Sequence, residues 1–353
     1  MKNIQRRKRS LGVAAAMLGA SALALSACGA APEEGDGPAA EEIDYKACMV
    51  SDEGGFDDAS FNQASHEGLL KAEEELGVQV LDAESTSTTD MGPNIDEMVQ
   101  QGCNIIVTAG FMFENLPLDA AEANTDTKFV VVDYGYETVP ENMRTLNYNT
   151  AEAAYLAGYA AAGYSKSGKV GTYGGGQITT VTDFMNGFAN GVAKYNEDKG
   201  ADVQAVGTDT FVGNFSDTVK ARQIADNFIA DGVDVIMPVA GPLGQTAVDA
   251  VNESSSPDDT VVWVDTDGHE YANGGEEAVL TSVMKKMGET TFESIEQDVN
   301  GEWKGGAYLG TLENGGVGLA PFYNFESKLP EGMQSELDAL KEQIIAGEID
   351  PLA

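Results

Sequence analysis

Two histidines, His66 and His269, and three cysteines, Cys28, Cys48 and Cys103, are all that the 353-residue chain offers of those types. Neither histidine stands at a metal-ligand spacing, and no G-x-S-x-G elbow accompanies them. A metal centre, a catalytic triad or a cofactor is therefore not expected. Positive charge is scarce too: 20 Lys and Arg face 58 Asp and Glu, for a formal net charge of −38. With no basic patch to neutralise phosphates, nucleic acid is excluded as a partner. The same imbalance gives no long-range attraction for an anionic ligand and reads as a device for solubility. Long apolar runs are missing except near the start. A Gly174-Gly175-Gly176 turn is present, but without G-x-G-x-x-G spacing or a following G-K-[ST] it makes a weak nucleotide site.

What is there begins with a targeting pattern. Lys2, Arg6, Arg7, Lys8 and Arg9 precede an Ala-rich apolar stretch, residues 11–25, too short to span a bilayer comfortably. It ends in Leu25-Ser26-Ala27-Cys28, which resembles the lipobox of bacterial lipoproteins. That resemblance implies a signal peptide over 1–27, lipidation of Cys28 and a cell-membrane anchor on the extracytoplasmic face. The alternative is an ordinary signal peptide with an incidental cysteine. Residues 28–43, rich in Ala, Glu, Gly and Pro, read as a flexible tether.

The rest alternates. Apolar runs at 47–50, 78–81, 105–108 and 128–133 read as strands, with helices between them from about 60 to 77, 90 to 101 and 114 to 124. A possible edge strand at 145–148 leads into a second series with strands at 169–173, 203–207, 233–238 and 261–265. Such alternation implies parallel sheets with right-handed crossovers. The end is less regular: a strand at 279–283, a helix at 285–300, two strands flanking Asn314-Gly315-Gly316, and a final helix at 331–346. Cys48 lies in the first strand and Cys103 just before the third. If those strands are neighbours the two can bridge; otherwise they are buried thiols.

The segment VSDEGGFDDASFNQ, residues 50–63, organises the reading. It leaves the carboxyl end of a strand and opens a helix, where open α/β sheets bind ligands. It resembles the D-x-G-G-x-D-D-x-S-F-N-Q signature of the BMP (PnrA-like) solute-binding lipoproteins of ABC transporters, with Glu53 as a departure. Further segments agree in order: the strand ending in Asp133, VGNFSD from Val212, AGPLG from Ala240, TSVMK ending in Lys285, and GGVGL from Gly315.

This resemblance implies an α/β protein with the type I periplasmic-binding-protein fold, two Rossmann-like lobes with a ligand cleft between them. It implies lobe 1 from 44–148 plus about 266–305, and lobe 2 from 149–265 plus about 306–353. It implies a nucleoside ligand, purine foremost, an ABC permease as partner, and no enzymatic activity. By position, Phe61 and Phe215 would sandwich the base, with Phe211 a rival to Phe215. Asp52, Asp58, Asn62 and Asp133 would address the base or its neighbours. Gly241 would admit close backbone approach, and Asp267 and Lys285 would contact ribose.

Each residue also has a plainer reading. Phe61 fits a helix stripe with Ala64, Leu69, Ala72 and Leu76 and so suits a core. Asp57 or Asp58 suits a helix cap, and Asp57 is assigned that role here. Asp267 suits a turn before Gly268, and Lys285 a solvated helix start beside Lys286. Competing functions are a receptor for a sugar or other small polar solute, and a surface lipoprotein that senses a ligand without transport.

Overall fold

The computed structural model describes residues 41–353. Cys28, the expected signal peptide and most of the expected tether lie outside the described residues. From there the chain runs β1 (Lys46–Glu53), α1 (Phe61–Leu76), β2 (Gln79–Ser85), α2 (Thr88–Gln100), β3 (Ile105–Ala109), α3 (Leu116–Ala123), β4 (Lys128–Val132) and β5 (Met143–Tyr148). It continues through α4 (Thr150–Tyr164), β6 (Lys169–Gly174), α5 (Thr179–Lys199), β7 (Gln204–Val206), α6 (Thr218–Ala230), β8 (Val235–Val239), α7 (Gln245–Glu253) and β9 (Thr260–Asp265). The final elements are the short α8 (Gly268–Tyr271) and α9 (Gly275–Ala278), then β10 (Val279–Lys285), α10 (Met287–Val299), β11 (Gly306–Gly310), β12 (Val317–Leu319) and α11 (Met333–Ile345).

Two six-stranded sheets result, ordered β11-β5-β4-β3-β1-β2 and β12-β10-β9-β8-β6-β7. Every strand pair is parallel except β10 with β12. The central strands read as continuous apolar runs because helices cover both faces; all five residues of β3 and of β8 are buried. The alternation expected from the sequence is what the structure contains.

The ends of the two lobes are drawn differently. Residues 279–285, expected in lobe 1, form β10 beside β9 in the second sheet. The chain then changes lobe: α10 packs against α1, and β11 joins β5 at the edge of the first sheet. So 306–310 belongs with lobe 1, not lobe 2. It also makes β5 an interior strand rather than the expected edge. β11 and β12 flank a glycine turn as a hairpin would, yet they enter different sheets. The chain thus passes between lobes three times, at 148–150, 285–287 and 310–317.

Cys48 in β1 and Cys103 before β3 are joined by a disulfide, with Cα atoms 6.0 Å apart. β1 and β3 are hydrogen-bonded neighbours, pairing Cys48 with Ile106. The bridge closes a loop with a sequence separation of 55 residues that contains α1, β2 and α2. Loop-closure entropy for a span of this length predicts that Cys48→Ala/Cys103→Ala loses about 4 kcal/mol. Urea unfolding of the oxidised protein and the double variant measures it; coincident midpoints would contradict the expectation.

Candidate functional site

The site is built where strands of both sheets end. The chain leaves β4 and β9 through matching sequences, VVVD and VWVD, with Asp133 just past the end of β4 and Asp265 the last residue of β9. The closing residues, Asp133 and Asp265, both adopt left-handed backbone, φ 62° and 73°. This uncommon conformation for a side-chain-bearing residue costs on the order of 1–3 kcal/mol and clusters at functional sites. It turns one carboxylate from each lobe toward the same cation.

That cation is Lys285, the last residue of β10. Its Nζ lies 2.6 Å from Asp133 Oδ2 and 3.1 Å from Asp265 Oδ1. All three residues are buried. The ammonium also lies 4.7 Å from the centroid of the Phe61 ring, 5.6 Å from Phe184 and 5.9 Å from Tyr148, arrangements that attract a cation to an aromatic face. Burial acts to lower the lysine pKa, but Asp133 and Asp265 outweigh it and hold the ammonium above its usual range. The remaining Asp265 oxygen accepts the Ser60 hydroxyl at 2.9 Å, and Thr266 donates to the Ala59 carbonyl at 2.9 Å. The loop before α1 in one lobe is thereby tied to the end of β9 in the other.

In that loop Asp58, not Asp57, caps α1. Its carboxylate accepts the N–H groups of Ser60, Asn62 and Gln63 at 2.9–3.0 Å, while Asp57 is exposed. The cap must point back along the helix, and only the buried aspartate does so. Asn62 Nδ2 donates to Asp52 Oδ1 at 3.1 Å, and the buried Asn62 Oδ1 has no partner among the described residues. Asp52 lies so close to Gly110 that a Cβ there would stand 1.9 Å from its Oδ2. A glycine is what lets the carboxylate occupy this place.

These groups surround one inter-lobe cavity of about 70 Å³. Asp52, Asp58, Phe61, Asn62 and Asp133 line it from lobe 1; Phe215, Gly241 and Lys285 line it from lobe 2. Phe211 instead packs over Gly174 and Val181 in the lobe 2 core, which separates it from its rival Phe215. Asp267 is not among the lining residues. It caps α8, accepting the His269 N–H at 3.1 Å and the Tyr323 hydroxyl at 2.5 Å. Asp265, two residues earlier, lines a neighbouring inter-lobe pocket together with Asp267 and Lys285 and also lines this cavity, which Asp267 does not. Between them the chain turns out of the cleft, with Gly268 N–H held by Ser282 Oγ at 2.9 Å. Asp265 was legible in the repeated strand ending. Phe111, Val181 and Phe184, which also line the cavity, carried no signal in the sequence.

Phe111 of lobe 1 meets Phe215 of lobe 2 with ring centroids 5.8 Å apart. The cavity is far below the 300–1,000 Å³ of typical ligand pockets. A larger ligand enters only if the lobes part.

Two Rossmann-like lobes, three crossovers and a cleft lined from both sides define a type I periplasmic-binding architecture. Comparison with known proteins gives the family. Residues 45–350 match the Bmp family, described as ABC transporter substrate-binding protein PnrA-like. The chain is 31% identical over 329 residues to the ABC transporter nucleoside-binding protein BmpA of Lactococcus lactis subsp. cremoris, covering 89% of this chain and 91% of that one. It is 29% identical over 309 residues to basic membrane protein A of Borreliella afzelii, covering 86% and 90%. Among solved structures, an ABC transporter solute-binding protein from Aeropyrum pernix superposes with a TM-score of 0.77 at 25% identity, over 87% of this chain and 92% of that one. The chain belongs to the Bmp family of PnrA-like ABC transporter substrate-binding proteins, a family of binding proteins and not of enzymes. No helix among the described residues is long and apolar enough to cross a membrane.

Burial pushes the Asp52 carboxyl up to about 8, against the hydrogen bond from Asn62 and with added repulsion from Asp58, Glu53 and Asp133. The folded state therefore holds a proton there that the unfolded chain releases near pH 4, so this residue's contribution to stability falls as pH rises from about 4 to 8. Asp52→Asn removes that slope. Its stability relative to wild type is predicted to improve across this window, as read by urea unfolding at pH 5 and pH 8; parallel pH profiles would contradict the assignment.

Proposed function

We propose that the protein captures a nucleoside, purine nucleosides foremost, outside the cell and delivers it to an ABC permease. One observation carries the reading: a single cavity joins aromatic faces from both lobes to a buried carboxylate–ammonium–carboxylate group. A nucleobase is flat and stacks on aromatic rings, a contact that tolerates different bases. A ribose diol offers two hydroxyls to a carboxylate and a lysine, and bonds to charged partners are the strong ones. Asp52 and Asn62 bring adjacent polar groups for the edge of the base. The Lactococcus relative's description as nucleoside-binding supports the same class. Capture proceeds by hinge closure, since a ligand touching both lobes stabilises the closed state by its differential affinity.

Calorimetry with inosine and its free base tests the reading. Phe61→Ala is expected to weaken both ligands by about 1–3 kcal/mol, because stacking does not involve the sugar. Asp265→Asn is expected to weaken the nucleoside by about 1–2 kcal/mol and leave the base nearly unchanged. Equal losses for both ligands in Asp265→Asn would refute the ribose assignment. A wild-type protein that binds neither ligand but binds a monosaccharide would establish the sugar-receptor alternative.

We infer further that Cys28 carries a lipid, on the strength of the Leu-Ser-Ala-Cys run after the apolar stretch. One chain gives marginal anchoring and two give stable anchoring. Cys28→Ala is predicted to shift the protein from the membrane to the soluble fraction on fractionation of the producing cells. Unchanged tight membrane association would sink the inference.

A further inference from the structure

The Gly174-Gly175-Gly176 turn has no part in the function as argued so far, yet its surroundings are specific. Its backbone is clamped on two sides. Gly175 N–H donates to the Val239 carbonyl at 2.8 Å, Gly213 N–H to the Gly175 carbonyl at 2.7 Å, and Val212 N–H to the Gly174 carbonyl at 2.9 Å. Against this fixed strip lies the Phe215 ring. A Cβ on Gly175 would stand 2.4 Å from Phe215 Cε1 and 2.5 Å from Cδ1, and one on Gly176 would stand 3.3 Å from Cε2. Gly175 is not in the left-handed region. Its need is space for a ring, and the absence of a side chain supplies it. Phe111 of lobe 1 also approaches that ring, with centroids 5.8 Å apart and planes tilted by 58°.

We infer that Gly175 is a positioning and specificity-determining residue: its bare backbone seats Phe215 and so sets the width of the slot that receives the flat part of the ligand. The clamped strip cannot retreat, so a methyl at 175 drives the ring outward, toward the ligand's place and toward Phe111. The turn is an aromatic seat, and its glycines serve packing where a phosphate cradle would use them for N–H donation. The inference rests on the nucleoside reading for its choice of probe.

The test is a double-mutant cycle by calorimetry with inosine, using Gly175→Ala, Phe215→Ala and the pair, with melting temperatures and a crystal structure of Gly175→Ala. Each single variant is expected to bind inosine about 5- to 100-fold more weakly, the range for one lost base–aromatic stack. The pair is expected to bind no more weakly than Phe215→Ala, because without the ring the methyl has nothing to displace. Gly176→Ala, with its looser contact, is expected to lose less than Gly175→Ala. The Gly175→Ala crystal structure is expected to show Phe215 moved off the turn with the fold intact. Additive losses in the pair, full affinity in Gly175→Ala, or an unmoved ring would each overturn the inference. A wild-type protein that fails to bind inosine would defeat the nucleoside reading instead, and the ring position in the crystal would still decide the role of Gly175.

Discussion

One ammonium group holds the two lobes together at the cleft. Lys285 is buried, and a buried charge survives only when paired and hydrogen-bonded. Its partners come from both lobes: Asp133 from the end of β4 and Asp265 from the end of β9. Removing one member of such a group leaves an uncompensated charge and typically costs about 3–5 kcal/mol. Much of the local structure follows from this requirement. Both strands end in left-handed aspartates, and the loop before α1 is drawn in through Ser60. Three aromatic rings face the ammonium.

Lys285 also ends β10 where the chain changes lobe, one residue short of α10, which begins at Met287. The residue that lines the inter-lobe cavity and the residue at the crossover are therefore the same. Anything that occupies the cavity against Lys285 therefore touches the chain where it passes between the lobes.

The sequence was most legible where one physical signal dominates. Buried parallel strands announce themselves as apolar runs, and the polar, glycine-bearing loop at 50–63 announces a site at a strand end. It was least legible where tertiary context decides. β11 and β12 flank an ideal hairpin turn, yet each finds a sheet edge in a different lobe. Asp265 and Asp267 are two residues apart, and only the V-x-V-D ending shared with Asp133 separates them locally; the turn of the chain toward Ser282 leaves one lining the cavity and makes the other a helix cap. Asp57 and Asp58 are adjacent and chemically alike, and only the fold decides that Asp58 is buried over the helix start while Asp57 is exposed. Val181 and Phe184 reach the cavity from a helix whose apolar face also builds the core, so periodicity cannot separate the two roles.

The central claim is that the cleft takes an intact nucleoside. Mass spectrometry of small molecules released on denaturing the freshly purified protein tests it most directly. The account predicts a nucleoside in near-stoichiometric amount, with its ribose attached. Release of a monosaccharide, or of a free base alone, would contradict it.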